Sequence, residues 1–166
     1  METADVLLVI DMQNGVCHYE DQTISRFDQL TSGINDRIAA YEDASKPVIF
    51  VQHDDDYLVK GSDKWKVIPE LDTTHAYHYI EKTHPNAFYQ TELKSILDQL
   101  DVQSIEVCGA ETHYCIDSTV KFAHGSGYAV YMKKKLHSSW DSEWMTPDEI
   151  ADFYEQIWTD RFLIFI

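Results

Sequence analysis

Cationic side chains are scarce in this sequence. Lysine and arginine together number 13, against 29 aspartate and glutamate residues, and the formal net charge is −16 at pH 7. A surface with so large an excess of negative charge repels phosphate groups, which argues against nucleic acid or an anionic membrane as a partner. The charge carries no information about the chemistry of a cleft.

Cysteine is also rare. The three residues Cys17, Cys108 and Cys115 cannot all pair in disulfides, and their spacing matches no zinc-binding pattern. We therefore expect free thiols in a reducing compartment, with the cytoplasm as the default. No metal site is predicted, and no redox or group-transfer cofactor.

Long apolar runs are missing as well. No stretch approaches the ~20 residues that a membrane-spanning helix needs, and no basic region with a cleavage site precedes the apolar run that begins near Val6. We also find no repeat, low-complexity segment or linker. With 44% hydrophobic residues, a chain of 166 residues suffices for one sizeable core, so we predict a single domain over residues 1–166.

What the sequence does contain is an alternation of strands and amphipathic helices. Continuous apolar runs at 5–10, 48–51, 105–108, 128–132 and 162–166 are typical of strands covered on both faces. Apolar residues at helical spacing lie between several of them. This order predicts an α/β domain of three layers, with a mostly parallel sheet of about six strands and helices on both faces. The apolar last strand predicts an edge that another chain covers, hence a homo-oligomer, either a dimer or a tetramer.

Four polar positions follow predicted strands. Asp11 and His53 lie just past strand ends, and Lys82 follows a short predicted strand near 77–81. Cys115 follows the strand at 105–108 across a glycine-containing turn. The carboxyl ends of parallel strands border the ligand crevice, so we expect one site there. Three of these residues also have a simpler interpretation: Asp11 caps a turn, Lys82 is solvated, and Cys115 packs under a helix.

Cys115 stands near the predicted start of a helix. Unpaired backbone N–H groups and the helix dipole favour a thiolate there, and the same N–H groups could hold the oxygen of a tetrahedral intermediate. With Lys82 adding a positive charge, we expect a net lowering of the pKa of Cys115. We expect Cys17, in a polar loop, to have a pKa near the free value of ~8.5, and Cys108 to be buried and inert.

Four segments resemble the isochorismatase-like cysteine hydrolases, the group that contains nicotinamidases and N-carbamoylsarcosine amidohydrolase. These segments are Leu8–Asn14, Trp65 with Ile68–Leu71, Glu81–Tyr89, and Cys108–Cys115. The resemblance implies the group's Rossmann-like fold and a catalytic triad of Asp11, Lys82 and Cys115. It also implies a cis peptide at Ala110–Glu111 and an oxyanion hole made by the backbone N–H groups of Glu111 and Cys115.

We expect the substrate pocket to be lined by residues close to these motifs, namely Gln13, Asn14, Trp65, Ala110, His113 and Tyr114.

Two departures limit the resemblance. Nicotinamidases hold a metal with an Asp-x-His pair and further histidines, whereas the corresponding loop here, 53–57, lacks that spacing. His53 with Asp54 remains a possible ion site, with a solvated acidic loop as the favoured alternative. Gly15 and Val16 replace the Asp-Phe of many members, which argues against a flat aromatic substrate such as nicotinamide.

These observations predict a cysteine-dependent hydrolase with a small-molecule substrate. The favoured activity is cleavage of a C–N bond of a small carboxamide or ureido compound, through a covalent thioester acyl-enzyme. Two alternatives stay open. One is isochorismatase-type hydrolysis of a non-amide bond, and the other is a non-catalytic member of the fold that binds a small ligand.

Overall fold

A seven-stranded parallel sheet forms the centre of the computed structural model, which describes residues 3–166. Six strands lie side by side in the order β5-β4-β1-β6-β7-β9, and a seventh, β8, extends the pairing of β6. Their bounds are β1 Val6–Ile10, β4 Val48–His53, β5 His78–Lys82, β6 Ser104–Ala110, β7 Ala129–Met132, β8 His137–Ser138 and β9 Ile164–Phe165. A two-stranded antiparallel hairpin, β2 (His18–Tyr19) and β3 (Gln22–Thr23), lies apart from this sheet.

Helices cover both faces of the sheet. They are α1 Asn14–Cys17, α2 Phe27–Asp43, α3 Leu93–Gln99, α4 Asp117–Gly125 and α5 Pro147–Trp158, with a π-helical turn at Thr112–Ile116 leading directly into α4. The apolar residues of α2 pack on one face, while those of α3, α4 and α5 share a second core on the other face. The three-layer α/β fold predicted from the sequence is therefore confirmed.

Strand β1 shows why an apolar run without alternation becomes a central strand. Val6, Leu8 and Ile10 belong to the core under α3, α4 and α5, whereas Leu7 and Val9 belong to the core under α2. All five residues are fully buried, because β1 is paired on both edges, with β4 and with β6. A strand that is covered on both faces needs apolar side chains at successive positions, so its sequence does not alternate between apolar and polar residues.

Some local predictions differ from the structure. Cys17 ends helix α1 and is fully buried, so its assignment to a polar loop is wrong. The short elements β2, β3 and β8 were not predicted, because runs of two residues carry no periodic signal. Helix α5 begins with a capping box formed by Thr146 and Glu149.

Strand β9 lies at the edge of the sheet and pairs with β7 alone within the described residues. Ile164 and Ile166 are about half exposed there. The homo-oligomer and the single-domain organisation over 1–166 stay predictions, and residues 1 and 2 lie outside the described residues. None of the helices in residues 3–166 has the length and apolarity to cross a membrane.

Candidate active site

The candidate site lies at the carboxyl edge of four adjacent strands, β5, β4, β1 and β6. Lys82 and His53 are the last residues of β5 and β4 and lie side by side in the register of the sheet. Asp11 follows β1, and Glu111 follows β6. The chain passes from β1 to β4 on one side and returns to β6 on the other. The site therefore occupies the point where the strand order reverses, the usual ligand crevice of such sheets.

The ammonium group of Lys82 joins three of these side chains. Its Nζ donates to Asp11 Oδ2 at 2.8 Å and to Cys115 Sγ at 3.2 Å, and it lies 2.9 Å from His53 Nδ1. Asp11, Lys82 and Cys115 are all buried. Oδ1 of Asp11 is buried with no hydrogen-bond partner, and an Asp11 oxygen lies within 4.8 Å of Cys115 Sγ. The sequence-predicted residues Asp11, Lys82 and Cys115 are thus brought together.

Local backbone geometry brings Cys115 to this point. Gly109 has a φ of 122°, and a Cβ atom there would lie 2.1 Å from the carbonyl oxygen of Ile10, so only glycine allows β6 to approach β1 so closely. The next peptide bond but one, Ala110–Glu111, is cis, as the resemblance implied. The π-helical turn begins directly afterwards, and the N–H groups of Tyr114 and Ile116 both donate to the Glu111 carbonyl. Turns of this kind recur at functional sites.

The expected lowering of the Cys115 pKa is contradicted. Burial raises the pKa of this thiol, the negative charge of Asp11 raises it further, and Lys82 opposes both without outweighing them. Cys17 also departs from its expected free value, because burial raises its pKa to about 12. Burial places the pKa of Cys108 well above its usual value, as expected. Together the contributions at Cys115 favour its protonated thiol.

A cavity of about 610 Å³ opens beside Cys115. Its wall combines polar groups of the site with aromatic and aliphatic side chains from the loops. The lining residues are Asp11, Gly15, Val16, Tyr19, Gln22, His53, Asp55, Tyr57, Leu58, Pro85, Glu111, Tyr114, Cys115 and Trp140. This volume is in the range that small-molecule sites occupy.

Of the six residues predicted to line the pocket, Tyr114 borders this cavity. Gln13 is fully buried beneath it, where its side-chain amide bonds the backbone of His53 and of Trp65. Ala110 is fully buried before the cis peptide. The other three lie away from the wall: Asn14 donates to the carbonyl oxygen of Asp63, and Trp65 and His113 border separate cavities.

Several wall residues were not anticipated from the sequence. Tyr19 and Gln22 belong to the small hairpin β2–β3, and Trp140 lies in the segment between β8 and α5. The indole Nε1 of Trp140 donates to the Val16 carbonyl at 2.8 Å, which connects this segment to helix α1. Trp140 stands in an aperiodic polar stretch, so no sequence signal indicated its place.

The donor set does not fit a divalent metal ion. Within the described residues, one group of three side chains places its ligand atoms close enough together to hold an ion, and it consists of Asp11, His53 and Cys115. All three side chains already contact the Lys82 ammonium, and a second cation beside it would be repelled. Burial and then Lys82 lower the pKa of His53, which keeps its ring neutral. The loop carboxylates are also engaged, since Asp54 and Asp55 accept backbone N–H groups.

Comparison with known proteins agrees with this geometry. Residues 5–153 match the isochorismatase domain. This chain belongs to the isochorismatase family. A crystal structure of an isochorismatase family protein is 40% identical, with a TM-score of 0.93 over 97% of this chain and 96% of that one. The family protein YddQ of Bacillus subtilis (strain 168) is 26% identical over 74% of this chain and 71% of its own length. Nicotinamidase 3 of Arabidopsis thaliana is 25% identical over 82% of this chain and 74% of its own length. The chain is thus an isochorismatase-family hydrolase.

Proposed function

We propose that this protein hydrolyses the C–N bond of a small carboxamide or ureido compound, with Cys115 as nucleophile. The observation that carries the proposal is the Lys82 ammonium, which contacts both Asp11 and Cys115 at the wall of a cavity large enough for a small molecule. A nucleophile, a proton acceptor and an orienting cation are the parts that amide hydrolysis through a thioester requires.

The raised pKa of the thiol assigns Asp11 an active role in the first step. Because a raised pKa favours the protonated thiol, the proton of Cys115 leaves as the sulfur attacks the substrate carbonyl, and Asp11 is the acceptor nearby. The new S–C bond gives a tetrahedral oxyanion. The C–N bond then breaks, Asp11 returns the proton to the departing nitrogen, and ammonia or an amine leaves with the thioester formed on Cys115.

The second step uses the same groups. Asp11 takes a proton from a water molecule, whose oxygen attacks the thioester carbonyl. The carboxylic acid departs and the proton returns to the sulfur. The positive charge of Lys82 stabilises the thiolate whenever sulfur is the leaving group. We assign the oxyanion hole to the backbone N–H groups of Glu111 and Cys115, which lie on either side of the first turn after β6.

A panel of primary carboxamides and ureido compounds, assayed for ammonia release, tests this proposal. We expect turnover of at least one member by the wild-type protein and none by Cys115→Ala. A control lies in the same chain, because Cys17→Ala changes a fully buried thiol outside the cavity. If the panel is inert while vinyl-ether substrates are cleaved, the non-amide alternative is correct. Binding without turnover of either class would support the non-catalytic alternative.

A further inference from the structure

The side chain of Glu111 has no function in the mechanism above, which uses only its backbone N–H. Glu111 nevertheless lines the same cavity as Cys115 and also borders the neighbouring cavity that His113 and Trp144 line. Burial raises the pKa of this carboxyl, and the nearby charge of Asp11 adds to the effect. An ionised carboxyl group at such a position is unfavourable unless a cationic group compensates its charge.

Within residues 3–166 the carboxyl of Glu111 has little compensation from the protein. It accepts one hydrogen bond, a long one of 3.4 Å from the backbone N–H of Trp140, although a carboxylate offers about four acceptor positions. None of the lysine, arginine or histidine side chains in the described residues forms an ion pair with it. By contrast, the buried Glu106 is fully engaged by Arg37 and Tyr41.

The rest of the cavity wall has the same sign of charge. Among the described residues that line it, Asp11, Asp55 and Glu111 carry carboxylates, and neither lysine nor arginine is present. The Lys82 ammonium behind the wall is already paired with Asp11. Aromatic side chains of Tyr19, Tyr114 and Trp140 complete the wall, and aromatic rings favour cations as neighbours. An anionic substrate would meet repulsion here without a compensating cation.

We infer that the substrate carries a cationic nitrogen group, an ammonium or a guanidinium, which binds the Glu111 carboxylate while its amide carbonyl lies at Cys115. This inference rests on the proposed function and names the class of amide that it acts on. Glu111 is then a specificity-determining residue. A cationic N–H donor satisfies the open acceptor positions of the carboxylate, and the aromatic wall surrounds the carbon chain that joins it to the amide.

Matched pairs of amides test the inference in the wild-type protein. β-Alaninamide is compared with butanamide, γ-aminobutyramide with pentanamide, and δ-aminovaleramide with hexanamide, so that within each pair an ammonium replaces a methyl group. A charged hydrogen bond predicts a kcat/KM for the cationic member about tenfold to a hundredfold higher in the pair of matching length. Equal values in all pairs, or higher values for the neutral members, would overturn the inference and leave the proposed function standing.

Two variants assign the preference to a residue. Glu111→Gln keeps the size and the backbone but removes the charge, and we expect the cationic-to-neutral ratio to fall about tenfold or more. The ratio is measured within one variant, so a general loss of catalysis cancels. Glu143→Gln is the matched control, because Glu143 borders only the neighbouring cavity, and its ratio should equal that of the wild type. Equal losses in both variants would contradict the assignment to Glu111.

Binding separates this inference from the failure of amide hydrolysis. The same pairs are titrated into Cys115→Ala by ligand-observed NMR, with and without Glu111→Gln. We expect the cationic member to bind about tenfold more tightly, and the difference to disappear in the double variant. That result supports the inference even if no amide is turned over. Equal affinities of both members in Cys115→Ala would refute it whatever the turnover assay gives.

Discussion

Lys82 and Asp11 form an ion pair of 2.8 Å in which the side chains are 0% and 3% exposed. The pair links the carboxyl ends of strands β5 and β1, across the intervening strand β4. Burial alone would lower the pKa of Lys82, but the charge of Asp11 and its hydrogen bond outweigh this, so the pKa of Lys82 is raised. The ammonium is therefore charged at neutral pH.

The first prediction concerns the three central side chains. Cys115→Ala, Asp11→Asn and Lys82→Met should each remove nearly all turnover, and double variants should lose little more, since the groups act as one unit. Lys82→Met and Asp11→Asn should also lower the free energy of unfolding by about 3–5 kcal/mol, because each leaves a buried group without its partner. Urea denaturation and ammonia release measure the two effects.

A control for this prediction is Lys60→Met, which breaks the exposed pair with Glu81. It should leave both turnover and the unfolding midpoint nearly unchanged, since exposed pairs contribute little. If the fold-loss of turnover in a double variant equals the product of the fold-losses in the two single variants, the residues act independently and the prediction is wrong.

The second prediction concerns access to the thiols. Cys115 borders the cavity, whereas Cys17 and Cys108 are fully buried, so iodoacetamide should label Cys115 first in the folded protein. The labelling rate should rise with pH above the range of a free thiol, because burial and Asp11 raise the pKa of Cys115. Peptide mapping by mass spectrometry at a series of pH values gives the profile.

The charges near Cys115 should move this profile in opposite directions. Lys82→Met removes the stabilising cation and should shift it to higher pH, whereas Asp11→Asn removes the opposing anion and should shift it to lower pH. Glu111→Ala should leave labelling by this neutral reagent nearly unchanged. Labelling of Cys17 before Cys115 would show that Cys115 is a structural residue.

The third prediction concerns metal. Because the Lys82 ammonium occupies the position between Asp11, His53 and Cys115, activity should survive prolonged treatment with EDTA. The assay compares chelated and untreated enzyme on the same amide. Loss of turnover that Zn²⁺, Fe²⁺ or Mn²⁺ restores would identify the 53–57 loop as a metal site.

The fourth prediction concerns stability in acid. His137 is fully buried, with Nδ1 2.9 Å from the hydroxyl of Thr112 and Nε2 3.2 Å from Glu155. Burial holds its pKa below the ordinary value, although Glu155 opposes this. The unfolded chain therefore binds a proton near pH ~6.5 while the folded chain does not, and stability falls as the pH drops below that value. Urea denaturation between pH 7.5 and 5 should show a shallower decline for His137→Gln than for the wild type, and equal slopes would contradict the assignment.

The sequence predicts the fold well because the central strands appear in it as continuous apolar runs. Val6–Ile10 and Val48–Val51 are apolar without alternation, which is typical of strands buried on both faces. The positions of Asp11, Lys82 and Cys115 near one another follow from the same topology, since a parallel sheet brings its strand ends to one edge.

The walls of the site could not be predicted in this way. Trp140 and Tyr19 reach the cavity from short aperiodic segments whose course depends on tertiary contacts, such as the bond from Trp140 to the Val16 carbonyl. The sequence around Cys17 is rich in polar residues and predicted a loop, yet a single helical turn places Cys17 in the core. The pKa of Cys115 depends on the balance between burial and two opposite charges, and a sequence does not contain that balance.

The covalent intermediate provides the most direct test of Cys115 as the nucleophile. Wild-type enzyme is mixed with an amide that it turns over, quenched in acid within the first turnovers, and analysed by mass spectrometry of the intact protein and its peptides. We predict an adduct with the mass of the substrate less ammonia, located on the peptide that contains Cys115 and absent in Cys115→Ala. The mechanism would be contradicted if the wild-type enzyme turned over the amide with no adduct at Cys115. Unchanged turnover by Cys115→Ala would contradict it as well.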